Sequence, residues 1–331
     1  MKTNIALAVV TLALAGLCSA ISLITVHTAA PALLTSHAIA LSVGVVLLAV
    51  MVAMGPTRLS LAGLMISFCV VGLCLCCFIE ESDYGLNQKL VMFGRQILDP
   101  AFLLPPSLIL LFAWARRNHR GTVFFAAATI MVLLLAALMP RLSEATLILF
   151  LAAALYGLVV RIQHHKTIRC LIAAAIAFSP FVVREVQMQM SGRSCFVPDS
   201  IVDLRSVYSC HMVADSLYYC GNWALIVLAV AVALLSVCLV IIASRARTSR
   251  QMILATGGTI ALIAQTVLGI LHFFFLVPRH SSRIPFVSTG NCYTIACFAL
   301  LGLVLSTLRN DSVATEKTRH SHGKQPSTED R

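Results

Sequence analysis

The sequence predicts an all-α fold, a polytopic integral membrane helix bundle with about ten transmembrane helices and both termini in the cytosol. The first observation is composition: 59% of the 331 residues are hydrophobic, 11% are charged and the mean hydropathy is +0.93. A water-facing globule cannot bury that much apolar surface. The second observation is that the apolar runs are continuous, which favours helices because unpaired backbone amides are costly in hydrocarbon. The third is the clustering of basic residues between these runs.

A helix needs about 20 residues to cross the bilayer core, and the apolar runs have lengths of that order. They cover residues 4–26, 38–54, 59–79, 99–115, 121–139, 145–160, 168–183, 223–243, 252–277 and 286–307. Gly55-Pro56 separates the second run from the third. Residues 1–308 therefore form one bundle, and the polar, basic residues 309–331 are expected to form a disordered cytosolic tail.

Between the third and fourth runs, apolar residues recur at helical spacing. They are Leu86, Leu90, Phe93 and Ile97. This pattern favours a short helix lying in the membrane interface, or an extension of the fourth span.

The basic residues orient the chain. With the N-terminus inside, sixteen of the 24 Lys and Arg residues lie in the cytosol, as the positive-inside rule requires. Their position between spans also argues against a nucleic-acid partner, despite the net charge of +11. As an alternative for the N-terminus, Cys18-Ser19-Ala20 is similar to a signal-peptide cleavage site, and cleavage would remove the first span.

The longest connection, residues 184–222, is predicted to be extracytosolic. It contains Cys195, Cys210 and Cys220, and thiols in an oxidising compartment tend to pair. Because three is odd, the remaining thiol needs a partner, either Cys292 or Cys77 at the outer end of a span. The loop is rich in aromatic residues, so we expect it to bind a partner protein or to pack as a lid on its own bundle.

Catalysis or ion coupling at mid-membrane requires buried ionisable residues, yet Asp99, Glu144 and Glu185 all lie at span ends. The sequence also lacks zinc-protease, nucleophile-elbow and phosphate-loop motifs. We therefore expect a protein that is not an enzyme and that binds neither cofactor nor metal.

Polar residues and prolines within spans suggest a cavity. Gln265 and His272 lie in the most polar run, and Pro105-Pro106 is predicted to break the fourth span, as in carriers with discontinuous helices. These residues would line the path of a small solute. The alternative is that Gln265 and His272 hydrogen-bond a neighbouring helix.

The outer loop closes with Cys220-Gly221-Asn222-Trp223 before the next apolar run, after many spans rich in Cys, Leu and Ala. This layout resembles the multi-spanning envelope membrane protein family of herpesviruses, particularly its gammaherpesvirus members, a family with distant similarity to equilibrative nucleoside transporters. The resemblance implies a non-enzymatic protein of the plasma membrane or of virion and host membranes. Its loop would bind another membrane glycoprotein in attachment, cell-to-cell spread or trafficking, and the alternative function is a facilitative transporter.

Overall fold

The computed structural model describes residues 2–29, 31–79, 90–92, 96–98, 100–117, 147–148, 151–152, 154–155, 222–273, 283–288 and 290–309. Within these ranges the chain forms helices, two short 3₁₀ turns (Pro31–Leu33 and Pro100–Leu103) and one small hairpin. The helices are α1 (Lys2–Ala29), α2 (Leu34–Ile79), α3 (Leu104–Arg117), α4 (Asn222–Ser244), α5 (Ser249–Phe273) and α6 (Asn291–Ser306). The hairpin consists of β1 (Leu90–Met92) and β2 (Gln96–Leu98).

The prediction of a polytopic α-helical membrane protein is confirmed. Four of the described helical stretches are long and apolar enough to cross a bilayer, namely Thr3–Thr28, Leu34–Leu73, Trp223–Ser244 and Ser249–Ile270. Most of the runs predicted between residues 118 and 221 lie outside the described residues, as do the loop up to residue 221 and the tail from residue 310. The predicted span count and orientation therefore remain predictions.

Helix α2 consists of two arms that meet at Gly55, where the backbone leaves the helical region (φ 71°, ψ 170°). A positive φ is easily adopted by glycine, and the Pro56 that follows has no N–H to leave unpaired at the start of the second arm. This break lies where Gly55-Pro56 separates two apolar runs in the sequence. Arms 34–54 and 56–79 thus correspond to two predicted spans.

Contacts between helices fix their relative directions. Ser36 Oγ donates to Asn291 Oδ1 at 2.8 Å, and Arg309 at the far end of α6 donates to the Ala53 carbonyl, so the first arm of α2 runs parallel to α6. A second set of contacts shows antiparallel neighbours. In it, Ser67 Oγ bonds Ser107 O (2.8 Å) between α2 and α3, Arg245 bonds Asn4 (3.2 Å) between α4 and α1, and Gln251 bonds Thr307 O (3.4 Å) between α5 and α6.

These directions bring nearly all the described basic residues to one end of the bundle, which we call the basic end. It comprises Lys2, Arg58, Arg116, Arg117, Arg245, Arg247, Arg250 and Arg309. Among the described residues, only Arg283 provides a basic side chain at the opposite end, where α3 and α6 begin. The described ranges contain no Asp or Glu.

Helix α6 lies at the centre of the bundle, because fourteen of its sixteen residues are buried. Glycines allow its neighbours to approach closely. A Cβ on Gly258 of α5 would lie 2.6 Å from Val304 Cγ2, and one on Gly302 would lie 3.1 Å from Met51 Sδ. A helix that is apolar and buried on every side is typical of the core of a bundle.

Two local predictions are wrong. The residues expected in an interfacial helix form antiparallel strands instead, with Leu90 opposite Leu98 and Val91 opposite Ile97. The intervening Phe93-Gly94-Arg95 includes a glycine, which disfavours helix, and β-branched residues favour strands. The Pro105-Pro106 pair does not interrupt a span, because α3 begins at Leu104 and both prolines lie in its first turn. The backbone N–H groups of a first turn have no partner within the helix, so their absence in proline breaks no helical hydrogen bond.

Candidate functional site at the Arg283 end

A tight turn at residues 283–288 precedes α6 and carries Arg283. The Ile284 amide donates to Ser288 Oγ at 2.9 Å, and the Ser288 amide donates back to Ile284 O at 3.0 Å. Phe286, between them, has a positive φ of 65°, an unusual conformation for a bulky residue. Its ring packs edge-on against Phe298 of α6, with centroids 5.2 Å apart, which holds the strained turn in place.

The Arg283 guanidinium lies over two aromatic rings. Its Cζ is 4.4 Å from the ring centroid of Phe102, in the turn before α3, and 5.5 Å from that of Tyr293, in the first turn of α6. The two rings meet edge-to-face with centroids 5.3 Å apart, and both side chains are buried. Cation–π contacts of this kind hold a cation by the negative faces of the rings.

Two further contacts fix the arginine. Tyr293 Oη donates to the Arg283 carbonyl oxygen at 2.8 Å. Gly290 lies so close to Arg283 Nη1 that a Cβ there would collide with it, and its φ of 148° also disfavours a side chain. We call Phe102, Arg283, Gly290 and Tyr293 the Arg283 cluster.

Beside this cluster, α1, α2 and α6 share buried polar groups. Ser22 Oγ and His37 Nε2 are 3.0 Å apart between α1 and α2. Among the described residues, Ser19 Oγ, His37 Nδ1 and Thr294 Oγ1 are buried side-chain atoms without a hydrogen-bond partner. Together with the Ser36–Asn291 bond, these groups make the Arg283 end the more polar part of the described interior.

Of the predicted site residues that the structure describes, Pro105, Pro106, His272 and Cys292 lie at the Arg283 end, whereas Gln265 lies further along α5. Gln265 is buried in α5, where its Oε1 lies 3.9 Å from the Cys297 thiol, and His272 lies near the end of the same helix. Pro105 and Pro106 are buried in the first turn of α3, and Cys292 is buried in the first turn of α6. Cys195, Cys210 and Cys220 lie outside the described residues, so the loop disulfide remains a prediction. Over the described ranges, no three His, Cys, Asp or Glu residues could hold a metal ion together.

The sequence reasoning missed Arg283, Phe102 and Tyr293. One signal was available, since Arg283 is followed by Ile-Pro-Phe-Val-Ser-Thr-Gly shortly before an apolar run. That pattern indicates a constrained turn carrying a charge at a span entrance. The partnership with Phe102 has no sequence signature, because it joins segments that are distant along the chain.

No protein-family description and no curated protein sequence matches the chain. Solved structures do match it. A chain of a peptidoglycan synthase complex, described for its coordination of polymerization and crosslinking, superposes with a TM-score of 0.68 at 21% identity, covering 90% of this chain and 96% of that one. The rod shape determining protein RodA of Thermus thermophilus superposes with a TM-score of 0.66 at 20% identity, covering 90% and 95%.

A variant of the same RodA, in which one aspartate is replaced by alanine, gives a TM-score of 0.66 at 20% identity, covering 90% and 96%. At these identities the likeness establishes a shared fold. It extends over nearly the whole of both chains, so it concerns the complete bundle rather than a few superposable helices.

This likeness overturns the resemblance to herpesvirus envelope proteins, which is wrong. The functions drawn from it, viral attachment or trafficking and the alternative of a facilitative transporter, are wrong as well. The likeness gives no support to a glycoprotein partner of loop 184–222. Spans rich in Cys, Leu and Ala are a response to the apolar bilayer, so unrelated membrane proteins have them in common.

The expectation that the chain is not an enzyme is also overturned, because the fold is shared with a chain of a peptidoglycan synthase complex. The spans contain no acidic residue at mid-membrane. That absence bears on proton- and ion-coupled carriers, whereas chemistry at a membrane surface can use carboxylates at the ends of spans or in loops.

Proposed function

We propose that this chain is a peptidoglycan glycosyltransferase of the bacterial cell membrane, which polymerises glycan from a lipid-linked donor. The observation that supports the proposal is the likeness of fold to RodA and to a chain of a peptidoglycan synthase complex over nearly the full length of each. A donor carried on a lipid stays in the bilayer, so an enzyme that consists mainly of membrane helices suits it. A crosslinking enzyme is the class of partner that such a polymerase would accompany.

The distribution of charge supports an orientation for the reaction. Eight of the nine described basic residues lie at the basic end, which we place in the cytosol by the positive-inside rule. The Arg283 end then faces the outside, where a cell wall is assembled. This assignment places both termini inside, with about ten spans in a single bundle.

Glycosyl transfer needs a base. The acceptor hydroxyl loses a proton as its oxygen bonds the anomeric carbon, while the bond from that carbon to the diphosphate leaving group breaks. The described residues contain no carboxylate, so a carboxylate base would have to come from the rest of the chain. Loop 184–222 leads into α4 at the Arg283 end, and it contains Asp199, Asp203 and Asp215.

We infer that one of these three aspartates is the general base. Each would be replaced by Asn in the full-length protein, reconstituted with a lipid-linked amino-sugar disaccharide, and glycan formation would be followed over time. The expected result is a loss of about 100-fold or more in one variant, the usual contribution of a positioned base. Asp311→Asn, in the cytosolic tail, is the matched control and should retain activity.

The outcomes separate two claims. Wild-type activity in all three variants would contradict an aspartate base in this loop while leaving the enzyme intact. A wild-type protein that forms no glycan from the donor would contradict the proposed function itself.

A further inference from the structure

The Arg283 guanidinium lacks an anion among the described residues. Its Nε is buried and has no hydrogen-bond partner, and no described residue is acidic. A buried charge is costly unless it is paired and hydrogen-bonded. The faces of Phe102 and Tyr293 offset part of this cost. The N–H groups of a guanidinium point outward in its own plane, however, and a ring that lies against the face of the guanidinium does not accept their hydrogen bonds.

A second positive potential lies at the same place. Helix α6 begins directly after Gly290, which contributes no side-chain cap, and its first turn contains no acidic residue. A helix N-terminus has the effect of about half a positive charge. Arg283 Nη1 lies against Gly290, so the guanidinium and the positive end of the α6 dipole are close together. Two positive charges at this distance repel each other.

The arrangement is nevertheless held firmly. Tyr293 Oη bonds the Arg283 carbonyl, Ser288 closes the turn, and the strained Phe286 is anchored on Phe298. A fixed cation beside a helix N-terminus is a preorganised site for an anion, since both contribute N–H donors in defined directions. The Arg283 side chain is half-buried rather than fully enclosed.

We propose that Arg283 and the N-terminus of α6 form a binding site for a phosphate group, and that the group is the diphosphate of the lipid-linked donor or of the lipid diphosphate released from it. The planar guanidinium suits phosphate oxygens because it can donate two parallel hydrogen bonds. The identity of the lipid rests on the proposed function, whereas the anion site does not.

The test measures binding to the full-length protein in nanodiscs of zwitterionic lipid, with polyprenyl diphosphate and inorganic diphosphate as separate probes. Arg283→Gln should weaken both by roughly tenfold to a hundredfold, the usual effect of losing a charge-assisted hydrogen bond. Arg283→Lys should restore part of the affinity, because lysine has the positive charge but lacks the paired N–H donors of a guanidinium. Arg250→Gln, at the basic end, is the control and should bind as the wild type does.

Melting temperatures of the same samples separate misfolding from lost binding. If Arg283→Gln fails to fold, the Lys variant supplies the test, since it should bind more weakly than the wild type while remaining folded. Equal affinity in the wild type and the folded Arg283 variants would overturn the site. Loss of inorganic diphosphate alone, with polyprenyl diphosphate unaffected, would overturn the lipid identity.

Asp99 directly precedes, in sequence, the turn that contains Phe102, so its carboxylate is the competing counter-ion for Arg283. The variant Asp99→Asn, which removes that charge, is therefore included. Binding that is absent in the wild type and present only in Asp99→Asn would overturn the proposal. Glycan synthesis is assayed on the same preparations. Diphosphate binding that depends on Arg283, without any glycan synthesis, would preserve the anion site and contradict the proposed function.

Discussion

Arg283 Cζ lies 4.4 Å from the ring centroid of Phe102, and this contact joins the turn before α6 to the turn before α3. These turns enter the bundle at the same end and are linked further through Tyr293, which touches both. The contact therefore holds the starts of α3 and α6 together at the Arg283 end, where we propose that glycan is synthesised. Three chemical features meet there: a cation, two aromatic faces and a helix N-terminus.

The Tyr293 hydroxyl and ring make separable contributions. Tyr293→Phe removes the hydrogen bond to the Arg283 carbonyl but keeps the ring beneath the guanidinium, and it should cost about 0.5–1.5 kcal/mol in stability. Tyr293→Leu also removes the aromatic contacts and should cost about 1 kcal/mol more. Thermal unfolding in mild detergent measures both, and equal losses would contradict a role for the ring.

The close approach of α2 to α3 should not tolerate a methyl group at Gly63. A Cβ there would lie 2.8 Å from the Leu110 carbonyl carbon, and this backbone atom cannot rotate away. Gly63→Ala should therefore destabilise the bundle by about 1–3 kcal/mol through overpacking. Gly72→Ala, on the same arm with nothing within 4 Å, is the matched control. A similar unfolding temperature for the two variants would contradict this packing.

The hydrogen bond from Ser67 Oγ to Ser107 O links α2 to α3 in a buried position. Ser67→Ala should cost about 0.6 kcal/mol, the average for interhelical hydrogen bonds in a membrane protein. Ser42→Ala is the control, since Ser42 is exposed and bonds only the Ala38 carbonyl of its own helix. A loss of the same size in both variants would assign the effect to the hydrogen bond that each serine makes within its own helix, to Gly63 O or Ala38 O, rather than to the interhelical bond.

The orientation is open to a direct test with reporter fusions in bacterial cells. A phosphatase that is active only outside the cytoplasm should be inactive when fused after Arg331, whereas a fluorescent protein that matures in the cytoplasm should be bright there. A phosphatase fused after Ile79, where α2 ends at the Arg283 end, should be active. The reverse pattern would contradict the placement of the basic end in the cytosol.

Hydropathy predicted what depends on the solvent, including the helical class and the break at Gly55-Pro56. It could not predict what depends on contacts between distant segments. The Phe102–Arg283–Tyr293 grouping requires three separate parts of the chain to meet, and Leu90 and Ile97 fit a helical spacing although they belong to strands. The likeness of fold to RodA was missed for a related reason, since composition reflects the bilayer while the arrangement of helices determines the fold.

The most direct test of the central claim is glycan synthesis by the purified full-length chain. The protein would be supplied with a lipid-linked amino-sugar disaccharide, and the product would be separated by length before and after digestion with a muramidase. We expect a ladder of muramidase-sensitive glycan from the wild type and none from a variant with Asp199, Asp203 and Asp215 all replaced by Asn, prepared identically. No glycan from a folded wild-type protein, or equal glycan from both preparations, would contradict the account.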